Sequence, residues 1–252
     1  MDFCSGRPAD RSVGHSVPSG RLSPFSSATR SESTDSLLAS ERVRSLRTSG
    51  DESTVKKACL IGAGSSGIAV AKTFHERGLP FDAFEASNRV GGNWVYGNVN
   101  GMSSAYRGLH INTSRARMEY SDFPMPAGTP DFPHHSTIAK YFDAYVDHFG
   151  FRSKIAFETK VSHVEKKGAA YEVTLSTGET RRYDAVLVAN GHHWDPAWPS
   201  PAFSGEFSGK TLHSHDYKEP EAFANQRVVV VGMGNSAMDL SLIHISEPTR
   251  PY

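Results

Sequence analysis

Cysteine is almost missing from this sequence. The 252 residues hold two, Cys4 and Cys59, which excludes a disulfide framework and a multi-cysteine zinc site. Long apolar runs are missing as well. Val228 to Val231 is among the longest, far below the roughly 18 residues that a membrane span requires. Neither sign of charge is in excess, since 27 Lys and Arg balance 27 Asp and Glu. A general nucleic-acid binder needs a basic surplus to neutralise phosphates, so that class of partner is set aside. No repeat at a solenoid period is visible. These absences leave a soluble, cytoplasmic protein with room for one large or two modest domains around a sizeable core.

Lysine is absent from residues 1–54, where 14 Ser, 4 Thr and 7 Arg stand with hardly any apolar periodicity. Such a segment buries too little apolar surface to offset its ordering entropy, and it is expected to be disordered. Arg and Ser enrichment also suits an organelle-targeting signal, the alternative to a disordered tail, although Asp2, Asp10, Glu32 and Asp35 weigh against it.

From Lys56 onward the texture changes to short apolar runs punctuated by glycine. Lys57 to Ile61 reads as a buried strand, Ser66 to Arg77 as a helix closed by Gly78 and Pro80, and Phe81 to Glu85 as a second strand. This is the opening of a βαβ unit in a doubly wound parallel sheet. Thr137 to Phe149 predicts a helix with Ser136 as N-cap, and its apolar positions Ile138, Tyr141, Phe142, Tyr145 and Phe149 share one face. Tyr171 to Thr177 and Thr180 to Val188 predict a hairpin around Gly178, running into a strand that ends at Gly191.

Two glycine fingerprints carry the chemistry. Gly62-Ala63-Gly64-Ser65-Ser66-Gly67 lies between predicted strand and predicted helix. In such a motif the first glycine makes the tight turn, the second admits a pyrophosphate to the backbone, and the third lets helix and strand approach. The helix start then offers free N–H groups and a positive dipole to phosphate, with Ser65 at its first turn. Glu85 follows 23 residues after Gly62, where a carboxylate can accept from an adenosine ribose. The second fingerprint, Gly232-Met233-Gly234-Asn235-Ser236-Ala237, follows a predicted strand of valines, Arg227 to Val231. Two fingerprints imply two dinucleotides, a flavin and a nicotinamide donor. The adjacent pairs His134-His135 and His192-His193 would point to opposite faces of a strand and lack a carboxylate or cysteine at ligand spacing, so no metal is expected.

The residues between the fingerprints bring in a family resemblance. Phe207, Gly209, His213 and Tyr217 stand in the pattern F-x-G-x-x-x-H-x-x-x-Y, which resembles the identifying motif of flavin-containing monooxygenases. Glu85 to Trp94 is similar to the stretch in two-dinucleotide flavoproteins where paired glycines, here Gly91 and Gly92, lie against FAD. Ile111 to Ser114 with Ser121 to Pro124 is similar to the family's Asn-containing segment. Leu187 to Gly191 resembles its "ATG" strand end, with Asn190 in place of Thr. The resemblance runs from about Lys56 to Leu240 and implies an α/β, Rossmann-like flavoprotein fold that binds FAD and NAD(P).

What it implies for the site is specific. FAD would lie on Gly62, Gly64, Ser65, Gly67, Glu85, Gly92, Trp94 and Gly191. NADPH would lie on Gly232, Gly234, Asn235 and Ser236, with His213 and Tyr217 ordering the linker beside it. Asn112 would be the active-site amide, near both flavin and reacting oxygen. The implied reaction passes hydride from NADPH to FAD and adds O2 as a C4a-hydroperoxide. A small amine or sulfide substrate then attacks that species. Because the linker motif ends in Tyr217-Lys218 rather than Trp, the N- or S-oxygenating branch is preferred to the related Baeyer–Villiger branch or an N-hydroxylating relative. An inactive FAD-binding fragment is the alternative of another class, and a full-length relative could be a homo-oligomer.

The expected layout is a tail over 1–54, an FAD-binding domain over 55–200, and the linker with the start of a nicotinamide domain over 201–240. After Leu240 the resemblance is expected to stop. Ser241 to Tyr252, with Pro248 and Pro251, resembles a translated sequencing-adaptor read. The fold is therefore expected to be incomplete at its C-terminus and this chain inactive alone.

Overall fold

The computed structural model describes residues 57–244. The expected disorder or targeting role of residues 1–54, and the end of the tail beyond residue 244, lie outside the described residues. No helix among them is long and apolar enough to cross a membrane.

Strands β1 (Ala58–Ile61) and β2 (Phe81–Phe84) flank helix α1 (Ser65–Glu76), as the apolar runs and glycine turns dictate. Gly78, at φ +64°, ends that helix by taking the left-handed conformation a side chain resists. Two further strands, β3 (Ile155–Ala156) and β7 (Ala185–Val188), complete a four-stranded sheet in the order β3-β2-β1-β7, parallel throughout. The parallel α/β part of the reading holds, but among the described residues helices cover one face of the sheet only and strands cover the other, so the sheet is not doubly wound there.

Both faces of this sheet are covered, which is why its strands read as continuous apolar runs. Successive residues of β1 serve opposite sides: Ala58 and Leu60 face the main core, Cys59 and Ile61 the second. The main core gathers Ile68 and Ala71 of α1 with one face of α3 (His135–His148), namely Ile138, Tyr141, Phe142 and Tyr145. On the other side lies an antiparallel meander, β4 (Val161–Lys167), β5 (Ala170–Leu175) and β6 (Thr180–Tyr183). It presses Val173, Leu175 and Tyr183 onto Cys59 and Phe84. Burial there pushes the Cys59 thiol up to about 12, so it packs as an inert small hydrophobe.

Four expectations need correction. The N-cap of α3 is His134, not Ser136: the His134 backbone is extended and its Nδ1 accepts the Ser136 backbone N–H. Thr180 to Val188 is two strands, because Asp184 interrupts it and sends β6 to the meander and β7 to the parallel sheet. Arg227 to Val231 forms no strand among the described residues, since no neighbouring strand pairs with it. The last helix, α4 (Asn235–Ile243), continues past Leu240, where the resemblance was expected to stop, for a total of 9 residues.

Candidate functional site

The turn between β1 and α1 is shaped by two glycines that the chain itself demands. Gly62 sits at φ +97°, and a Cβ there would lie 2.5 Å from the Ala189 carbonyl oxygen. A Cβ on Gly67 would fall 2.0 Å from the Gly62 oxygen, so this glycine lets helix and strand meet. Gly64 differs. Its backbone is extended, at φ −75° and ψ −171°, and a Cβ would meet nothing nearer than the Gly92 Cα at 3.8 Å. The fold leaves a cradle at Gly64 that a side chain would fill.

Around that cradle the parts are polar and oriented. No side chain caps α1, so the amides of Ser65, Ser66 and Gly67 open its N-terminus towards an anion. Glu85, just past β2 and 5% exposed, holds the turn: its carboxylate accepts from Ala63 N at 2.6 Å and from Ser87 N at 2.8 Å. Each oxygen keeps a second lone pair for a ribose hydroxyl. Gly91 N donates to the Ala63 carbonyl at 3.1 Å, laying Gly92 against Gly64. Trp94 packs half-buried against the main core, and its carbonyl faces His135 Nδ1 at 3.3 Å. Ala189 and Asn190 back Gly62 from the end of β7, with Gly191 next in the chain at φ +72°.

Asn112 lies on an exposed turn between Ile111, whose N–H donates to the Pro133 carbonyl, and helix α2 (Arg115–Met118). Its exposed side-chain amide is hydrogen-bonded to no other described residue.

The second fingerprint borders a cleft of about 280 Å³. His193, His213, His215, Ser236 and Leu240 are among the residues that line it. Gly232 sits at φ +139°, and Gly234 N-caps α4 in an extended conformation with open space where its Cβ would be. Asn235 and Ser236 supply the first turn of that helix. His213 begins a 3-10 turn, Ser214–Asp216, by accepting the His215 N–H on Nδ1 at 3.0 Å. Burial, then His192 and His215, hold the His193 imidazole below its ordinary range. Tyr217 points away from the cleft into packing. It is 3% exposed, stacked on Phe223 and edge-on to Tyr106.

The structure thus groups Gly62, Gly64, Ser65, Gly67, Glu85 and Gly92 at one site and His213 with Ser236 at another. Sequence reading missed the residues between them: Asn93, Tyr106, Lys218 and Asp239. Asn93 bonds to Ser103 and Ser104 some ten residues on, whereas Tyr106, Lys218 and Asp239 work through partners more than a hundred residues away.

Comparison with known proteins follows this geometry. A family model described as flavin-binding monooxygenase-like matches residues 55–249, past the Leu240 where the resemblance was expected to stop. Flavin-containing monooxygenase 5 of Cavia porcellus is 39% identical over 201 residues, covering 75% of this chain and 38% of that protein. Flavin-containing monooxygenase 3 of Homo sapiens is 39% identical over 198 residues, 74% of this chain and 37% of that protein. Among solved structures, the S-allyl-L-cysteine S-oxygenase of Allium sativum is similar at TM-score 0.64 and 29% identity, over 74% of this chain and 48% of that one. A cyclohexanone monooxygenase is similar at TM-score 0.59 and 28% identity, over 75% of this chain and 37% of that one. This chain therefore spans well under half the length of the curated relatives it matches.

Proposed function

This chain belongs to the flavin-binding monooxygenase-like family, a family of NADPH-dependent oxidoreductases that carry FAD, and we propose that it oxygenates a soft nucleophile, an amine nitrogen or a sulfide sulfur. FAD is assigned to the first fingerprint and NADPH to the second. The observation that carries the reading is the contrast within the first turn. Gly62 and Gly67 are glycine because neighbouring backbone leaves no room, whereas at Gly64 only a group from outside needs the room. A pyrophosphate is such a group, and the uncapped amides of α1 suit its charge.

Bound FAD, once reduced by NADPH, supplies the oxygen-activating chemistry. The chain's own residues bind and orient. Ser65 to Gly67 would hold phosphate, Glu85 fixes the turn and would accept from a ribose hydroxyl, and Gly92, packed against Gly64, would border the cofactor. Asn112, by the family resemblance, would offer its exposed side-chain amide as a hydrogen-bond donor beside the flavin. The soft-nucleophile branch is supported by the Tyr217-Lys218 ending of the linker and by the likeness to an S-oxygenase.

A second reading, a flavin-binding chain without turnover, is favoured by one observation. Arg227 to Val231 is unpaired among the described residues, with Val229 82% and Val231 71% exposed. A nicotinamide beside such a segment is not held at near-attack distance from the flavin. Purification, a visible flavin spectrum, and NADPH oxidation with a sulfide present decide between them. Yellow protein that consumes NADPH and yields sulfoxide supports the first reading, and yellow protein that leaves NADPH untouched supports the second. Colourless protein that takes up no FAD overturns both.

A further inference from the structure

One short segment, Ser103 to Arg107, is tied to a residue beside each fingerprint, Asn93 near the first and Asp239 on the helix of the second. At its start, Ser103 Oγ donates to the Asn93 carbonyl at 2.8 Å, and Ser104 N donates to Asn93 Oδ1 at 2.8 Å. Asn93 follows Gly92, which lies against Gly64 of the first fingerprint. Further along, the Tyr106 hydroxyl donates to Asp239 Oδ2 at 2.8 Å, although the two residues stand 133 apart in the chain. Asp239 is on α4, one turn after Asn235 and on the same face of the helix that opens with Gly234. The same segment grips the linker. Arg107 N donates to the Lys218 carbonyl at 2.8 Å, Lys218 Nζ donates to the Ser103 carbonyl at 2.8 Å, and the Arg107 guanidinium pairs with Glu219 and Glu221.

We propose that Tyr106 is a positioning residue: through Asp239 it holds the helix of the second fingerprint in a fixed setting relative to the first. The inference rests on the two-dinucleotide reading for its purpose, since hydride passes between the sites only when their frames are held together. Tyr106 is 9% exposed, and burial, then the Asp239 carboxylate, keep its phenol above the ordinary tyrosine range. The hydroxyl therefore stays a donor wherever the fold persists. Asp239 is partly exposed, so the bond is part-buried, and a hydrogen bond to a carboxylate is among the stronger kinds. α4 has need of it, because no residue of that helix is fully buried and packing alone holds it loosely. The Tyr106 ring meets Tyr217 edge-on at 5.6 Å, and phenylalanine keeps that contact, so Tyr106→Phe removes the hydroxyl and little else.

Amide hydrogen exchange on the 252-residue chain at low micromolar concentration tests this. Tyr106→Phe should speed exchange across residues 235–243 about 10-fold or more, the effect of losing a charge-assisted hydrogen bond. Exchange in α1 and FAD affinity should stay within about 2-fold, since no contact there is lost. Asp239→Asn, which keeps an acceptor oxygen, should retain most of the protection, whereas Asp239→Leu should match Tyr106→Phe and add little to it in the double variant. NADP+ serves as the second probe, and its binding should weaken in Tyr106→Phe at unchanged FAD affinity. Unchanged exchange in α4, or an equal rise in α1, overturns the proposal. A wild-type chain that binds neither dinucleotide, while α4 still responds to Tyr106→Phe, counts for the tie and against the dinucleotide reading.

Discussion

Replacing Gly64 by valine and Gly67 by alanine should separate cofactor binding from folding within a single six-residue motif. At Gly67 the new methyl would sit 2.0 Å from the Gly62 carbonyl oxygen, more than 1 Å inside ordinary contact. The obstacle is backbone in a turn that Ala189 already confines, so it cannot swing aside. Overpacking of this kind costs about 3 kcal/mol or more. In a chain this size each kcal/mol moves Tm by roughly 2–4 °C, so Gly67→Ala should lower the apo Tm by about 6–12 °C. At Gly64 the backbone is extended and a Cβ meets only the Gly92 Cα, at 3.8 Å. Valine is at ease in that conformation, and losing a glycine N-cap costs at most about 1 kcal/mol. The apo Tm of Gly64→Val should therefore fall by no more than about 4 °C. FAD at 100 times its Kd would raise wild-type stability by about 2.7 kcal/mol. Gly64→Val should lose that increment entirely, because the isopropyl group occupies the pyrophosphate's path. Thermal melts with and without FAD, beside a flavin-fluorescence titration, read both effects. Stoichiometric FAD on Gly64→Val, or an unmoved melt for Gly67→Ala, would refute the reasoning.

Asn112→Leu should cut oxygen transfer to a sulfide by about 10²–10³-fold if the amide acts as an oxyanion-type donor. Photoreducing the flavin and then admitting O2 and sulfide measures that step without NADPH, and an unchanged sulfoxide yield removes Asn112 from the role. His134→Ala should lower stability by about 1 kcal/mol, because Ser136 loses its ring-nitrogen acceptor at the start of α3; a urea midpoint within error of wild type would say the cap is idle. Burial, then His134, hold the His135 imidazole below its ordinary value, so below about pH 6.5 the unfolded chain takes up a proton that the fold resists. Stability should accordingly fall as pH drops from about 7.5 to 5.5, and His135→Gln should make that fall shallower; an unchanged slope in urea titrations contradicts it. Val229→Lys with Val231→Lys should suppress self-association seen by light scattering, since these two side chains line one exposed side of an unpaired segment. Equal scattering from both proteins would place the sticky surface elsewhere.

Much of the first site was legible because its signals are local. Gly62, Gly64 and Gly67 have fixed spacing, and the strand and helix around them follow from a short apolar run and a glycine stop. Asn112 and His213 were reached through resemblance rather than geometry. The misses have physical causes. Val161–Lys167 was overlooked since only Val161 and Val164 are apolar and a register irregularity between Val161 and His163 breaks the alternation. The seam at Asp184 is silent in the sequence because β6 and β7 are joined by one residue. His134 took the cap from Ser136 because a ring nitrogen can accept as a serine oxygen does. Tyr106 and Asp239 could not be paired by pattern at all, since nothing in either segment announces the other.

The two fingerprints also differ in what enforces their shape. The first is fixed by backbone sterics: Gly62 against Ala189, Gly67 against Gly62, and Glu85 accepting from the turn. Strands on both sides of β1 supply those walls, so the cradle persists with or without a cofactor. The second has no strand beside its valines among the described residues, and its helix has no fully buried residue. Its geometry instead depends on the Tyr106–Asp239 hydrogen bond and the grip on the linker at Lys218. Sites held by side-chain ties open at lower free energy than sites walled by a sheet. Flavin should therefore be the more firmly held of the two dinucleotides, and any change that weakens the segment Ser103 to Arg107 should reach the nicotinamide first.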